Sequence, residues 1–203
     1  MVFDLNKKTI LIFDLLKNNP NEIFQKTDIA REIGLPYVTV WRILDSLKNN
    51  NIIKVVKKKR SSLISINLDS ETTQNFWQLI NSFKKNELEK KPKYNKYFRA
   101  VNEALKQINP NYLVVFGSVA RNEATPESDL DTLIKSNKKI NVKELAFNIN
   151  SGYLVDIKLT IVNNKELEKY LKEKRVVYQD IWKEGIIFEN FNEFFNDFKK
   201  IWK

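Results

Sequence analysis

The chain has no cysteine and no histidine among its 203 residues, and the two absences exclude whole classes of chemistry. Without cysteine there is no disulfide, no thiolate zinc site and no cysteine nucleophile. Without histidine, no imidazole can ligate a metal or act as a general base. Any bound metal must rest on oxygen ligands, which favours magnesium, manganese or calcium. Any general base must be a carboxylate, a lysine or a tyrosine. Long apolar runs are missing too: no segment approaches the length of a membrane span. The opening stretch, MVFDLNKKTILIFDLLKNNP, mixes acidic and basic side chains with short apolar runs, unlike a signal peptide. A soluble, cytoplasmic protein with no membrane partner is the expectation.

Hydrophobic residues make up 42% of the sequence, enough for one large domain or two small ones with a real core. Lysine and arginine number 35 against 25 acidic residues, a formal net charge of +10. Such a surface draws polyanions, unless it is simply a solvated lysine-rich shell. Both halves of the chain are basic, so charge alone does not single out one nucleic-acid face.

In residues 7–18, Ile10, Phe13 and Leu16 share one helical face, and Asn18, Asn19 and Pro20 end it. DIAREIG reads as a short helix capped by Thr27 and stopped at Gly34. LPYVTVWRILDSLKNNN follows, with Val40, Leu44 and Leu47 at helical spacing. IIKVVKKKRSSLISINL alternates on both sides of KKKRSS and predicts a β-hairpin with a basic tip. Three helices and a basic hairpin resemble the winged helix-turn-helix domains of transcription regulators, over roughly residues 5–68. The resemblance implies that the third helix enters a major groove, with Tyr37, Thr39, Trp41 and Arg42 near base edges. Lys57, Lys58, Lys59 and Arg60 on the wing would meet phosphates. Asn51 stands where that family usually has glycine, and asparagine tolerates the left-handed conformation. Winged helices also serve as protein-binding modules, so that alternative stays open.

Residues 70–88 carry Phe76, Leu79, Ile80 and Phe83 at helical spacing, and EKKPKYNK then breaks the pattern. This gives an N-terminal domain over residues 1–69, a connecting helix and linker over 70–91 and a second domain over 92–203, with the boundary near Lys91. In the second domain a helix with Phe98, Val101 and Leu105 on one face leads into YLVVF, apolar enough for the middle of a sheet. This strand ends at Gly117-Ser118, a corner opening a helix over about residues 119–123 and suited to cradling phosphate. The next strand, SDLDTLIK, alternates, so Asp129 and Asp131 share a face. Two carboxylates held that close repel each other, and a bound divalent cation best explains them. YLVDIKLTIV puts Val155, Ile157 and Leu159 on one face and Asp156 and Lys158 on the other. If this strand lies beside SDLDTLIK, Asp156 joins the first two aspartates. In the last helix Phe191, Phe194, Phe195, Phe198 and Trp202 recur at helical spacing, the mark of a packed helix or a dimer contact.

GSVARNEATPESDLD, with a third aspartate on a later strand, resembles the signature of the DNA polymerase beta superfamily of nucleotidyltransferases. The ARxE and SDLD wording is similar to its minimal members, often encoded as partners of a helical toxin. The resemblance spans about residues 95–190 and implies an α+β fold, a small mixed sheet with helices on one face. It implies that Asp129 and Asp131 hold two magnesium (or manganese) ions bridging an NTP, while Gly117 and Ser118 bind its terminal phosphates. Asp156 would help hold the catalytic metal and activate the acceptor hydroxyl, the three carboxylates standing within about 5 Å of one another. Arg121 and Lys158 are further candidate phosphate contacts; otherwise they are surface and sheet-face charges. The family usually reads ARG where this chain has Arg121-Asn122, and the short tail after Asp156 points to limited rather than processive transfer. The acceptor is a nucleic-acid 3′-hydroxyl or a protein side chain. The rival expectation is a DNA-binding regulator or antitoxin whose transferase half is catalytically idle.

Overall fold

Helical periodicity, capping residues and strand alternation in this sequence resolve into two units, each with its own sheet. The computed structural model describes residues 5–58 and 61–202. One unit runs to Ile80 and the other from Asn81. The division therefore falls inside a helix, upstream of Lys91.

The first unit begins with α1 (Lys7–Asn18), whose cap is the Asn6 side chain accepting the Thr9 amide at 3.0 Å. Strand β1 (Phe24–Gln25) precedes α2 (Lys26–Ile33). Helix α2 starts one residue before the expected cap Thr27, because the Asp28 carboxylate accepts the Gln25 amide at 3.3 Å. Gly34 ends it in the left-handed conformation, at φ 69°. Helix α3 (Tyr37–Asn49) follows Pro36, and Asn51 then turns the chain at φ 58°. Strands β2 (Ile53–Lys58) and β3 (Ser61–Ile66) form an antiparallel hairpin in which Val55 faces Ile64. Strand β1 pairs on the other side of β3, giving the order β1-β3-β2. Phe13, Ile29, Val40, Leu44, Leu47 and Ile64 are buried in its core. The first half of α4 (Glu71–Glu89) joins them, with Phe76 edge-on to Phe13 at 5.1 Å. Burying each large side chain contributes about 1.5–3 kcal/mol.

The second unit is built on a four-stranded mixed sheet. Helix α5 (Asn95–Ile108) leads into β4 (Tyr112–Phe116), followed by the single turn α6 (Gly117–Ala120). Strand β5 (Leu130–Lys135) returns antiparallel to β4, and α7 (Val142–Tyr153) crosses over to β6 (Ile157–Val162), parallel to β5. Helices α8 (Asn164–Lys172) and α9 (Val176–Glu184), strand β7 (Ile186–Ile187) and helix α10 (Phe191–Phe198) complete it. The sheet order is β6-β5-β4-β7. Asn81 clasps β7 with its side chain: Nδ2 donates to the Ile187 carbonyl at 2.8 Å and Oδ1 accepts the Ile187 amide at 2.9 Å.

Alternation along β4 sets two layers. Leu113 and Val115 join Val101, Ala104, Ile134 and Ile149 in the core under α5 and α7. Tyr112 and Val114 point the other way, where Phe194 of α10 stands edge-on to Tyr112 at 5.7 Å. Gly185 passes so close that a Cβ there would meet Val114 Cγ1 at 2.7 Å. The sheet thus carries helices on both faces rather than on one, because β4 is apolar on both. Phe191, Phe194, Phe195 and Phe198 are buried within the chain. Among the described residues, no helix is long and apolar enough to cross a membrane.

Candidate active site

The second face of the sheet stays open where β5 and β6 begin, and the chemistry-bearing residues gather there. Parallel pairing sets Leu130 against Ile157 and Asp131 against Lys158. Paired residues share a face in a parallel ladder, so Asp131 and Lys158 project to one side, and Asp129 and Asp156, just before the two strands, lie near enough for both to act on the Lys158 charge. The Leu130 amide donates to the Asp156 carbonyl at 2.8 Å, locking the two strand entrances together. Lys158 forms an ion pair with Asp129 Oδ2. Burial and the neighbouring Asp129 carboxylate push the Asp131 carboxyl up, against the pull of Lys158 and Arg121. The hydrogen bond and charge of Asp129 raise the Lys158 ammonium in turn.

Gly117 closes the site from β4. It adopts φ 71°, and a Cβ built on it would stand 2.5 Å from Asp131 Oδ2. Glycine is required here because the Asp131 carboxylate occupies the space of its missing side chain. The Gly117 amide donates to Glu184 Oε1 at 3.2 Å. Arg121 divides its guanidinium between that oxygen, at 2.8 Å, and Glu123 Oε2, also at 2.8 Å. These two carboxylates hold its pKa above the usual arginine value. Ser118 is half-buried, and its carbonyl accepts the Glu123 amide at 2.8 Å. Helix α6 ends at Ala120, short of the stretch to Glu123 predicted for it, because Asn122 turns left-handed at φ 63°.

The three-carboxylate cage expected from the sequence is not assembled. Among the described residues, no three acidic side chains converge into a metal site. Lys158 takes one oxygen of Asp129, and Asp156 is exposed at the mouth of β6. The donor chemistry still fits a hard cation, since Asp129 and Asp131 are oxygen ligands whose mutual repulsion a cation relieves. Magnesium is usually held by one or two carboxylates plus substrate phosphates, without a full protein cage.

Sequence reasoning missed the groups that fix the loop between Gly117 and Asp129. The Tyr97 hydroxyl donates to the carbonyls of Thr125 at 3.1 Å and Ser128 at 2.9 Å. Lys96 reaches the Pro126 carbonyl at 2.8 Å, and Lys91 reaches Asn122 Oδ1 at 2.9 Å. The segment KPKYNKY, read as a linker with the start of a helix, is a clamp on this loop. Glu184 lies 67 positions from Gly117 and carried no signal that would have found it.

In the first unit, Tyr37, Trp41 and Arg42 are exposed on the N-terminal half of α3 and Thr39 is half-buried. The Lys26 ammonium lies 5.9 Å from the centre of the Trp41 ring. Lys57 is exposed on β2, to which Lys58 contributes its backbone. Lys59 and Arg60 lie outside the described residues.

A family model described as nucleotidyltransferase domain matches residues 98–203. Among solved structures, the crystal structure of a toxin-antitoxin with AMP-PNP is 18% identical, covering 53% of this chain and 82% of that one, at a TM-score of 0.38. TrmBL2, an archaeal chromatin protein with a novel mode of DNA binding, is 17% identical, covering 90% of this chain and 71% of that one, at a TM-score of 0.31. Comparison with curated proteins gives no match.

Proposed function

The chain belongs to the nucleotidyltransferase domain family, and from that premise we propose that it moves a nucleoside monophosphate from an NTP to a hydroxyl acceptor, using magnesium or manganese. What supports this is the β5/β6 register, which sets Asp131 beside Lys158, together with the ion pair between Lys158 and Asp129 and the Asp131 carboxylate standing over Gly117. Asp129 and Asp131 hold the cation, and Asp156 accepts the proton of the attacking hydroxyl. When bound, the divalent ion offsets charge on the phosphates and aligns the attacking and leaving oxygens. The acceptor oxygen forms a bond to the α-phosphorus as the bridge to the β-phosphate breaks, and pyrophosphate leaves. Ser118 and the Gly117 corner contact the terminal phosphates. Lys158 neutralises them, and Arg121 does so only by leaving Glu184 or Glu123.

The first unit is a winged helix that binds nucleic acid. Helix α3 meets the major groove through Tyr37, Thr39, Trp41 and Arg42, while Lys57, Lys58, Lys59 and Arg60 meet phosphates. Exposure of Tyr37, Trp41, Arg42 and Lys57 supports this part of the reading. A nucleic-acid 3′-end is the acceptor such a unit would deliver, and a protein side chain, including that of a helical toxin partner, is the other.

One observation favours a second reading, a DNA-binding regulator or antitoxin with an idle transferase half: Asp129 is already neutralised by Lys158. Label transfer from each α-labelled NTP, to oligonucleotides and to lysate proteins, decides between them. Transfer by the wild type and none by Asp129→Asn with Asp131→Asn supports the enzyme. No transfer to either acceptor, with DNA binding retained, supports the regulator.

A further inference from the structure

We propose that Lys158 is a built-in counter-cation that holds the divalent ion's place at Asp129, so that metal and triphosphate bind tightly only together. The inference rests on the transferase reading above and assigns the lysine a function that reading lacks. Three observations carry it.

The ammonium engages Asp129 Oδ2 from the neighbouring strand, on the face where the cation must bind. The stem is anchored, since Lys158 lies inside the β5/β6 ladder between Ile157 and Leu159, yet its side chain is 63% exposed. The ammonium can therefore swing away while the backbone stays still. The Asp131 carboxylate lies in the space over Gly117 where a side chain would otherwise stand. Arg121, the other cation at this corner, is held by Glu123 and Glu184.

An ammonium and a divalent ion repel each other at one carboxylate oxygen, so metal entry evicts Lys158. The evicted ammonium keeps only the weaker pull of Asp131 and Asp156, and a triphosphate supplies it an anionic partner that the metal does not displace. Nucleotide must then raise cation affinity, and the cation must raise nucleotide affinity by the same factor.

The test is a manganese titration of the full chain without turnover, following the free-ion electron paramagnetic resonance signal. Without nucleotide, Lys158→Met is expected to bind manganese about tenfold more tightly than the wild type, within the usual range of such couplings. Lys158→Arg keeps the charge and should bind as the wild type does, which also controls for folding. Adding α,β-methylene-ATP, which cannot transfer its nucleotide, should tighten manganese binding in the wild type much more than in Lys158→Met. Manganese binding by Lys158→Met no tighter than by the wild type overturns the proposal, as does an equal response of the two to the analogue. Adding Asp129→Asn to Lys158→Met should abolish the tighter binding; if it persists, the ion sits elsewhere and the proposal is wrong. Because no step requires turnover, failed label transfer with the expected manganese behaviour would overturn the transferase reading while leaving this assignment standing. Successful transfer with no effect of Lys158→Met would do the reverse.

Discussion

Replacing Gly117 with alanine tests whether the Gly-Ser corner exists for Asp131. Two effects add at this residue. Its φ of 71° is a conformation that disfavours a Cβ by about 1–2 kcal/mol. The new Cβ would also stand 2.5 Å from Asp131 Oδ2, where ordinary contact begins near 3.4 Å, so the carboxylate must retreat by about 0.9 Å. A misplacement of about 1 Å in a catalytic group can cost about a hundredfold in rate. A loss of about 1–2 kcal/mol lowers the melting temperature of a chain this size by roughly 2–8 °C. Thermal melting and label transfer well below the melting range measure the two effects separately. Gly117→Asn distinguishes them further, since asparagine accepts the left-handed backbone but still carries the Cβ. It should melt closer to the wild type and transfer as poorly as Gly117→Ala. If Gly117→Ala transfers within about threefold of the wild type, Asp131 is not the ligand that this corner protects.

Two other perturbations address the rest of the molecule. Lys135 is buried, its ammonium 2.8 Å from Glu193 and 2.6 Å from Asp197, and these carboxylates raise its pKa despite burial. Lys135→Met leaves both acids without this ammonium and should destabilise by about 3 kcal/mol, the low end for a broken buried pair because Asn111 still donates to Glu193 while Tyr112 and Lys200 still reach Asp197. A raised folded-state pKa gives stability that is complete below the ordinary lysine value near 10.4 and disappears as pH climbs through the folded value. Tyr112, also raised, acts in the same direction. Urea midpoints of the wild type should therefore fall above about pH 10.4, and less steeply in Lys135→Met; parallel profiles would show that the pair contributes nothing there. For the first unit, DNA affinity in gel shifts should drop steeply with salt, and replacing Lys57, Lys58, Lys59 and Arg60 with glutamine should flatten the slope by about 0.9 per lost phosphate contact. An unchanged slope would remove the wing from the interface.

What was legible in the sequence follows period and local chemistry. Strand alternation, with its period of two, predicts Asp129 and Asp131 on one face; the β5 ladder begins at Leu130 and contains only the second of them. Gly34 and Asn51 could be read as left-handed turns because few residues accept that conformation. That Asp156 and Lys158 face the first two aspartates depended on which strands are neighbours, which alternation alone does not determine. The pairing of Lys158 with Asp129 is likewise a matter of distance across strands. Glu184 and the clamp from Lys91, Lys96 and Tyr97 were illegible for a different reason. They reach backbone carbonyls, an amide, and the Asn122 and Arg121 side chains of a loop remote in sequence, and such partners leave no spacing to read. The second helical layer is not legible because α10's phenylalanines specify burial without naming the face they cover.

The charges at the corner bear on which form of the nucleotide it would take. Asp129, Asp131, Asp156, Glu123 and Glu184 supply five carboxylates, and Lys158 and Arg121 two cations, around the Gly117 turn. The chain as a whole is at +10, so its long-range field attracts a triphosphate that the corner itself repels. A bare nucleotide would bring more negative charge to Asp129 and to Asp131, whose carboxyl is already pushed up by burial and by the Asp129 charge. One arriving with its divalent ion brings the charge this corner lacks and gives the displaced Lys158 an anionic partner. The clamp of Lys91, Lys96 and Tyr97 ties down the intervening loop meanwhile, so adjustment falls on Lys158, whose side chain is exposed and whose ion pair with Asp129 gives way to the arriving cation.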